Sequence, residues 1–244
     1  MMIAIISDIH SNYEALSVVI EDIKNYKVEE IICCGDITGY GPNPEECIET
    51  IKNKNIISIA GNHDFAIIGK TELSWFNENA KQAILINKTL ITKNNLEYLK
   101  SLPEYLIKDE LLFVHGSPLN PTYEYLLDTV SLEANIKNMK QKICFCGHTH
   151  IPLIYSSTAK DKRKIYYPKD NFLFKLEKHK KYIVNVGSVG QPRDLDNRAC
   201  YVIFDTKNYT LQFKRLKYNF QITQQKMLQL QLPEFLITRI EFGE

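Results

Sequence analysis

The chain has 244 residues, 44% of them apolar and 24% charged, with a formal net charge of +1. That is the balance of a globular protein able to bury its own core, and it gives no bias towards polyanions or membrane surfaces. No run approaches the ~18 apolar residues of a membrane span, no basic-then-apolar leader precedes the first strand pattern, and six cysteines in a chain of this length do not suggest a disulfide scaffold, so a reducing, cytoplasmic setting is expected. Met2–Ser7 reads as a buried strand, followed by Asp8-Ile9-His10. Ser11 and Glu14 form a capping-box pattern, with Leu16, Val19, Ile20 and Ile23 at helical spacing behind it. Glu30–Cys34 is a second strand, ending at Gly35-Asp36. Asn43 then caps a helix with Pro44 at its first position and Glu45 and Glu46 in its first turn. Ile56–Ala60 is a third strand, ending at Gly61-Asn62-His63-Asp64. Helices are expected over Ser74–Asn87 and Thr92–Ser101. Leu111–Val114 and Lys142–Cys146 are further strands, ending at His115-Gly116-Ser117 and Gly147-His148-Thr149-His150.

The second half has a more antiparallel character. Strands are expected at Leu153–Ser156, Phe172–Leu176, Tyr182–Val186, Cys200–Asp205 and Thr210–Leu216, and a helix over Phe220–Leu230 stopping before Pro233. The tail from Pro233, with Leu236, Ile237 and Ile240, is expected to dock on its own chain. No internal repeat or long linker divides the sequence, so residues 1–244 read as one α/β domain.

Five consecutive apolar runs end in Asp, Asn or His beside glycine or serine, and ligands of open α/β sheets collect at the carboxyl ends of strands. Of the six histidines, His10, His63, His115, His148 and His150 lie at such ends; only His179 does not. Asp8/His10 and His148/His150 are two apart, a spacing that in extended chain points both side chains the same way. Asn62 and His63, being adjacent, suit two separate jobs. Carboxylate, imidazole and amide donors without thiolate favour manganese, iron, zinc, cobalt or nickel over calcium or magnesium. Seven such ligands exceed one tetrahedral zinc and match two cations ~3.5–4 Å apart sharing a bridging carboxylate.

In this order D-I-H, G-D, G-N-H-D, H-G-S and G-H-T-H, spanning residues 8 to 150, resemble the calcineurin-like metallophosphoesterases, and N-V-G-S-V-G-Q-P-R-D at Asn185–Asp194 is similar to the small bacterial and archaeal branch of that family. The resemblance implies a four-layer αββα sandwich, two mixed β-sheets flanked by helices. It also implies hydrolysis of a phosphate ester, foremost a phosphodiester, by hydroxide held on a dinuclear centre loaded with manganese first among the metals named above. Asp8, His10 and His150 would hold one cation and Asn62, His115 and His148 the other. Asp36 would bridge them, and His63 would act on the scissile phosphate as the catalytic group. The protein-phosphatase kind and the symmetrical diadenosine tetraphosphate hydrolases carry G-D-x-x-D-R-G and G-N-H-E. Here Gly39 replaces that second aspartate and the last motif ends in Asp64. Phosphodiesterases, nucleotidases and asymmetrical dinucleoside polyphosphate hydrolases stay open. A non-catalytic scaffold like the retromer subunit of this fold is the alternative from another class, though that subunit lacks the equivalent of His63.

The tight C-F-C-G-H-T-H at Cys144–His150 raises a competing zinc clip. Its spacing is too short for a two-Cys, two-His site, and Cys144 and Cys146 alternate with Ile143 and Phe145 as core residues would. Cys33 and Cys34 read as core for the same reason. Arg193 and Arg198 follow the turn at Gly187–Gly190 and could bind phosphate, or Arg193 could pair with Asp194. Tyr40 could stack on a base or wall the pocket, and Asp64 could orient His63 or only hold a turn. Residues 160–181, with nine basic and three acidic side chains, read as a solvated hairpin whose Tyr166, Tyr167, Phe172 and Phe174 pack a flap on the body. A nucleotide-like small molecule is the expected partner. Neither nucleic acid nor membrane is expected, and a homo-oligomer is left open.

Overall fold

A computed structural model describes residues 1–157 and 164–244 of the chain. Its elements in order are β1 (Met2–Ile6), α1 (Tyr13–Ile23), β2 (Glu30–Cys33), α2 (Pro44–Asn53), β3 (Ile57–Ser58), α3 (Asn62–Ile67), a 3-10 turn at Leu73–Trp75, α4 (Glu78–Leu90), α5 (Lys93–Ser101), β4 (Tyr105–Lys108), β5 (Leu111–Val114), α6 (Thr129–Asn138), β6 (Ile143–Cys146), β7 (Leu153–Ser157), β8 (Lys164–Tyr166), β9 (Leu173–Lys175), β10 (Lys181–Asn185), β11 (Ala199–Asp205), β12 (Thr210–Leu216), α7 (Phe220–Gln229) and α8 (Glu234–Phe242).

Two six-stranded sheets form, ordered β3-β2-β1-β11-β12-β9 and β4-β5-β6-β10-β7-β8. Each is mixed. β1, β2 and β3 run parallel in one, β5, β6 and β10 in the other, and the outer pairings are antiparallel. The period-2 alternation of strand side chains sorts the core into layers. Ile3, Ile5, Ile32, Phe113, Ile143, Phe145, Val184 and Val202 face inward between the sheets. Ala4, Ile6, Cys33 and Tyr201 face outward onto Leu16, Val19, Ile48 and Ile51 of α1 and α2. Leu112, Val114, Cys144 and Cys146 face outward onto Leu132, Ile136 and Met139 at α6. The result is the four-layer αββα arrangement, with the carboxyl ends of both parallel trios at one edge.

Several local expectations change. Asn12, not Ser11, caps α1: its side chain accepts from Ala15 N at 3.2 Å, while Ser11 sits at φ 57° and donates to Asn87 Oδ1 at 2.5 Å. The proposed partner Glu14 reaches instead to Thr223 and Lys226 on α7. The predicted helix over Ser74–Asn87 is split, because the Asn77 side chain accepts from Ala80 N at 2.9 Å and starts α4 afresh at Glu78. The predicted strand Ile56–Ala60 is short, and Asn62 and His63 open a helix rather than extend a strand-end loop.

The basic stretch is not a hairpin: β8 is an edge of one sheet and β9 an edge of the other, so the chain crosses between them. Residues 160–163 of it lie outside the described residues. Tyr166, Phe172 and Phe174 pack on the inter-sheet core as expected, whereas Tyr167 is exposed. The helices α6 and α8 and the strand β4 were not expected. α8 buries Leu236, Ile237 and Ile240 beside Met227 of α7 and Ala80 and Ala83 of α4, so the tail docks on its own chain. Among the described residues no helix is long and apolar enough to cross a membrane.

Candidate metal centre

At the shared edge, Asp8, His10, Asp36, Asn62, His63, His115, His148 and His150 converge, all of them buried. Asp8 and His10 follow β1, Asp36 follows β2, Asn62 and His63 open α3 after β3, His115 follows β5, and His148 and His150 follow β6. Asp8 and His10 share one group of ligand atoms, but His148 and His150 fall in different groups, and neither pair is set by extended backbone. Asp8, His10, Asp36, His148 and His150 have φ between 47° and 67°. Left-handed backbone at a non-glycine residue costs about 1–3 kcal/mol and collects at functional sites, where the surrounding structure enforces it.

Among the described residues the ligand atoms fall into three overlapping groups, two of which contain Asp36. Those of Asp8, His10 and His150 lie within 4.8 Å of one another, as do those of Asp36, His115 and His148, and those of His10, Asp36 and His63. His150 Nε2 is 3.0 Å from His10 Nε2 and 3.2 Å from Asp8 Oδ1. His115 Nε2 is 3.0 Å from both Asn62 Oδ1 and His148 Nδ1. Asp36 Oδ2 stands between the groups, 3.4 Å from His10 Nε2 and 3.3 Å from His115 Nε2.

Four of the five imidazoles, all but that of His63, have a backbone carbonyl behind them. His10 Nδ1 faces Thr38 O at 3.2 Å, His115 Nδ1 faces Cys34 O at 2.9 Å, His150 Nδ1 faces Gln191 O at 2.5 Å and His148 Nε2 faces Tyr123 O at 3.3 Å. A carbonyl only accepts, so each of these ring nitrogens carries the proton and the opposite nitrogen turns its lone pair inward. That is how metal-ligating histidines are oriented. His10 Nε2 and His150 Nε2 then approach to 3.0 Å, an arrangement that a cation between them would relieve.

The electrostatics agree. Burial opposes ionisation of Asp8 and Asp36, but the surrounding imidazoles outweigh it: His150 and His10 hold Asp8, and His115, His63 and His10 hold Asp36, well below the usual carboxylate range. Burial, with His115 beside one and Arg193 beside the other, pushes His148 and His150 down to about 3, the neutral form that ligates metal. Burial pushes His115 down, but Asp36 beside it outweighs this and raises it to about 9. Carboxylates, imidazoles and an amide oxygen with no thiolate fit divalent transition metals.

His63 lies inside this ring. Its backbone N–H donates to Asp36 Oδ1 at 2.9 Å, its ring is T-shaped to Phe76 at 5.0 Å, and its buried Nδ1 has no partner. Burial, reinforced by nearby His10 and Arg193, holds it well below the usual histidine range. Asp64 does not touch that ring. Its carboxylate accepts from the backbone N–H of Ile37, Thr38 and Gly61 and from the Thr38 hydroxyl, which pins the loop carrying Asp36. Tyr40 is a wall, its ring 4.5 Å from those of both His10 and His63. The Arg193 guanidinium lies 5.5 Å over the Tyr40 ring, with a buried Nε that has no partner.

Other sequence-level candidates lie elsewhere. Arg198 is taken by Asp196 at 2.7 Å and Asp170 at 3.0 Å, and Asp194 pairs with Arg215 rather than Arg193. Cys144 and Cys146 are buried free thiols facing α6, their titration pushed up by burial, so they form no clip with His148 and His150.

A family model described as the calcineurin-like phosphoesterase superfamily domain matches residues 1–209. The chain belongs to that superfamily. The calcineurin-like chain is 41% identical to the uncharacterized protein MJ0912 of Methanocaldococcus jannaschii over 99% of its own length and 98% of that protein. A crystal structure of a metallophosphoesterase from Sphaerobacter thermophilus is 38% identical over the full length of both chains, with a TM-score of 0.89. Protein PH1004 of Pyrococcus horikoshii shares the fold at 23% identity and a TM-score of 0.83, covering 100% of this chain and 98% of its own. This calcineurin-like phosphoesterase is thus a phosphoester hydrolase with candidate sites for divalent metal.

Some supporting residues escaped the sequence. Asn87 of α4 is fully buried and bridges Ser11, Gly39 N and Gly41 O, fixing the loops behind His10 and Asp36. It reads in sequence as one more polar residue in an Asn- and Lys-rich helix. Much of the Asn185–Asp194 motif holds the loops of the site in place. Asn185 Nδ2 holds Gly147 O, Ser188 Oγ donates to Asp8 O at 2.8 Å, and Gly190 N donates to the same oxygen at 2.9 Å.

Proposed function

We propose that this chain is a phosphodiesterase working through two divalent cations, manganese foremost. The observation that carries the reading is Asp36 Oδ2, placed almost equally far from the two groups of inward-facing nitrogens. Asp8, His10 and His150 would hold one cation, Asn62, His115 and His148 the other, and Asp36 both. Bound there, the pair supplies Lewis acidity that activates water near neutral pH and neutralises phosphate charge.

The chain's own residues supply the rest. The backbone carbonyls behind His10, His115, His148 and His150 keep their donor nitrogens aimed inward. His63, with an unpartnered Nδ1 beside Asp36, is placed to donate a proton to the oxygen leaving phosphorus, and bound phosphate would favour its protonated form. Arg193 and Tyr40 line the side next to His10 and His150, where a non-bridging phosphate oxygen would meet the free Nε. A diester has a second ester group, and the cleft running past Asn62 and His148 offers it room. Water adds to phosphorus, one P–O ester bond breaks, the alcohol leaves with the proton from His63, and a proton from the attacking water passes through solvent to restore it, giving a monoester.

The test is hydrolysis of bis-p-nitrophenyl phosphate beside p-nitrophenyl phosphate after chelator treatment and return of manganese, with His63→Ala alongside. Manganese-dependent cleavage favouring the diester, and lost in the variant, is expected. Cleavage of the monoester alone would remove the diesterase reading.

A further inference from the structure

We propose that the cleft beside Asn62, His63 and His148 is a stacking site for a nucleobase, with Trp75 as the stacking face and Tyr123 as the adjoining wall, so that the substrate class is a nucleoside phosphodiester. This rests on the phosphodiesterase reading above.

The cleft has a volume of about 170 Å³. That is well below the roughly 300–1,000 Å³ of pockets that enclose a whole drug-sized ligand, and suits one planar ring system with the phosphate lying outside it over the metal centre. Beyond the site residues Asn62, His63 and His148, its lining is aromatic and uncharged: Trp75, Phe76, Tyr123, Tyr125 and Tyr40, with Thr71, Asn77 and Ala80. Lysine, arginine, aspartate and glutamate do not occur in that lining, so the group it selects is neutral and flat rather than a second phosphate.

Trp75 is 68% exposed although it is the largest kind of side chain. Burial therefore does not account for it. It meets Tyr123 at a centroid distance of 5.3 Å and an interplanar angle of 69°. The two rings form a corner, so a base stacked on the indole face would meet the tyrosine at its edge, both favourable aromatic geometries. The corner is preformed. The Thr71 and Tyr123 hydroxyls are 2.7 Å apart and tie the segment before the 3-10 turn to the segment after β5. Tyr123 also accepts from His148 through its carbonyl, and Tyr125 stacks on the His148 ring at 3.7 Å and 29°. Two aromatic pairs, Trp75–Tyr123 and Tyr125–His148, thus line the cleft, the second including a candidate metal ligand. Base–aromatic stacking tolerates any base, since every base has a π-face, so the site selects nucleosides as a class and not one base.

Trp75 is the only tryptophan in the chain, so its emission reports on this cleft alone. The experiment titrates adenosine 5′-monophosphate and, separately, ribose 5-phosphate into the manganese-loaded protein while tryptophan fluorescence is followed. Both compounds are then measured as inhibitors of bis-p-nitrophenyl phosphate hydrolysis by wild type, Trp75→Ala and Trp75→Phe. Saturable quenching by the adenosine compound and none by the sugar phosphate is expected. The ratio of the two inhibition constants should fall about tenfold in Trp75→Ala, the effect of losing one stacked base, and largely recover in Trp75→Phe. Equal responses to both compounds, or an unchanged ratio in Trp75→Ala, would overturn the proposal. So would a protein dimer that Trp75→Ala dissociates, because the exposed indole would then belong to a second copy. The two readings fail separately: absent hydrolysis with base-dependent quenching intact defeats the phosphodiesterase reading and leaves the stacking site standing.

Discussion

Gly61→Ala tests the position of Asp36 without altering any proposed ligand. Gly61 has φ −101° and ψ −178°, extended backbone open to alanine, so the substitution adds no backbone strain. It adds a methyl with no room. An ideal Cβ would lie 2.1 Å from Asp36 Oδ1 and 2.5 Å from Asp36 N. Because a backbone atom is among the obstacles, rotating the carboxylate does not relieve the contact, and the Asp36 segment must move by about 1 Å; a misplacement of that size costs on the order of 100-fold in rate. Overpacking should also cost about 1–3 kcal/mol of stability. The assay is kcat/KM for bis-p-nitrophenyl phosphate on the folded variant, with its bound manganese counted by elemental analysis. A fall of about two orders of magnitude is expected. Turnover within a factor of about two of wild type at full metal content would refute the reasoning, since the carboxylate would have moved without consequence.

Asp36→Ala should lose metal from both groups and with it turnover, read by elemental analysis and hydrolysis; retention of full stoichiometry would remove the bridging role. His63→Ala should keep its metal yet lose about 10²–10⁴ in kcat, the usual worth of a positioned proton donor, and unchanged turnover would take His63 out of the reaction. Asn87→Ala leaves Ser11, Gly39 N and Gly41 O without their shared buried partner. At about 1–3 kcal/mol for such a loss, the thermal midpoint should fall by roughly 2–10 °C, and an unchanged midpoint would deny that Asn87 holds the loops. The six cysteines are buried free thiols whose titration burial pushes up. The native protein should therefore react with almost no thiol reagent and the unfolded protein with all six equivalents; two fast equivalents that metal protects would reopen the cysteine–histidine clip.

The layers and the ligand positions were legible because strands advertise themselves twice. Alternation separated inward Ile3 and Ile5 from outward Ala4 and Ile6, and the polar residue after each apolar run marked the edge where the sheets end. What the sequence does not carry is the backbone between those points. The pairing of His10 with Asp8 looked like strand periodicity, yet both residues are left-handed, and turns held by Ser188 and Gly190 bring them together. The carbonyls of Thr38, Cys34, Gln191 and Tyr123 that fix the imidazoles belong to residues whose side chains say nothing of that role. Trp75 was hidden for a related reason. An apolar periodicity over Ser74–Asn87 absorbed it into a helix that the Asn77 cap cuts off.

Metal counting on the active protein is the most direct test of the central claim. Chelator-stripped chain, re-equilibrated with manganese and freed of excess, should hold two ions, and bis-p-nitrophenyl phosphate hydrolysis should rise with occupancy to its maximum at the second equivalent. A single ion at full activity, or full activity in the stripped protein, would contradict a shared centre built on Asp36.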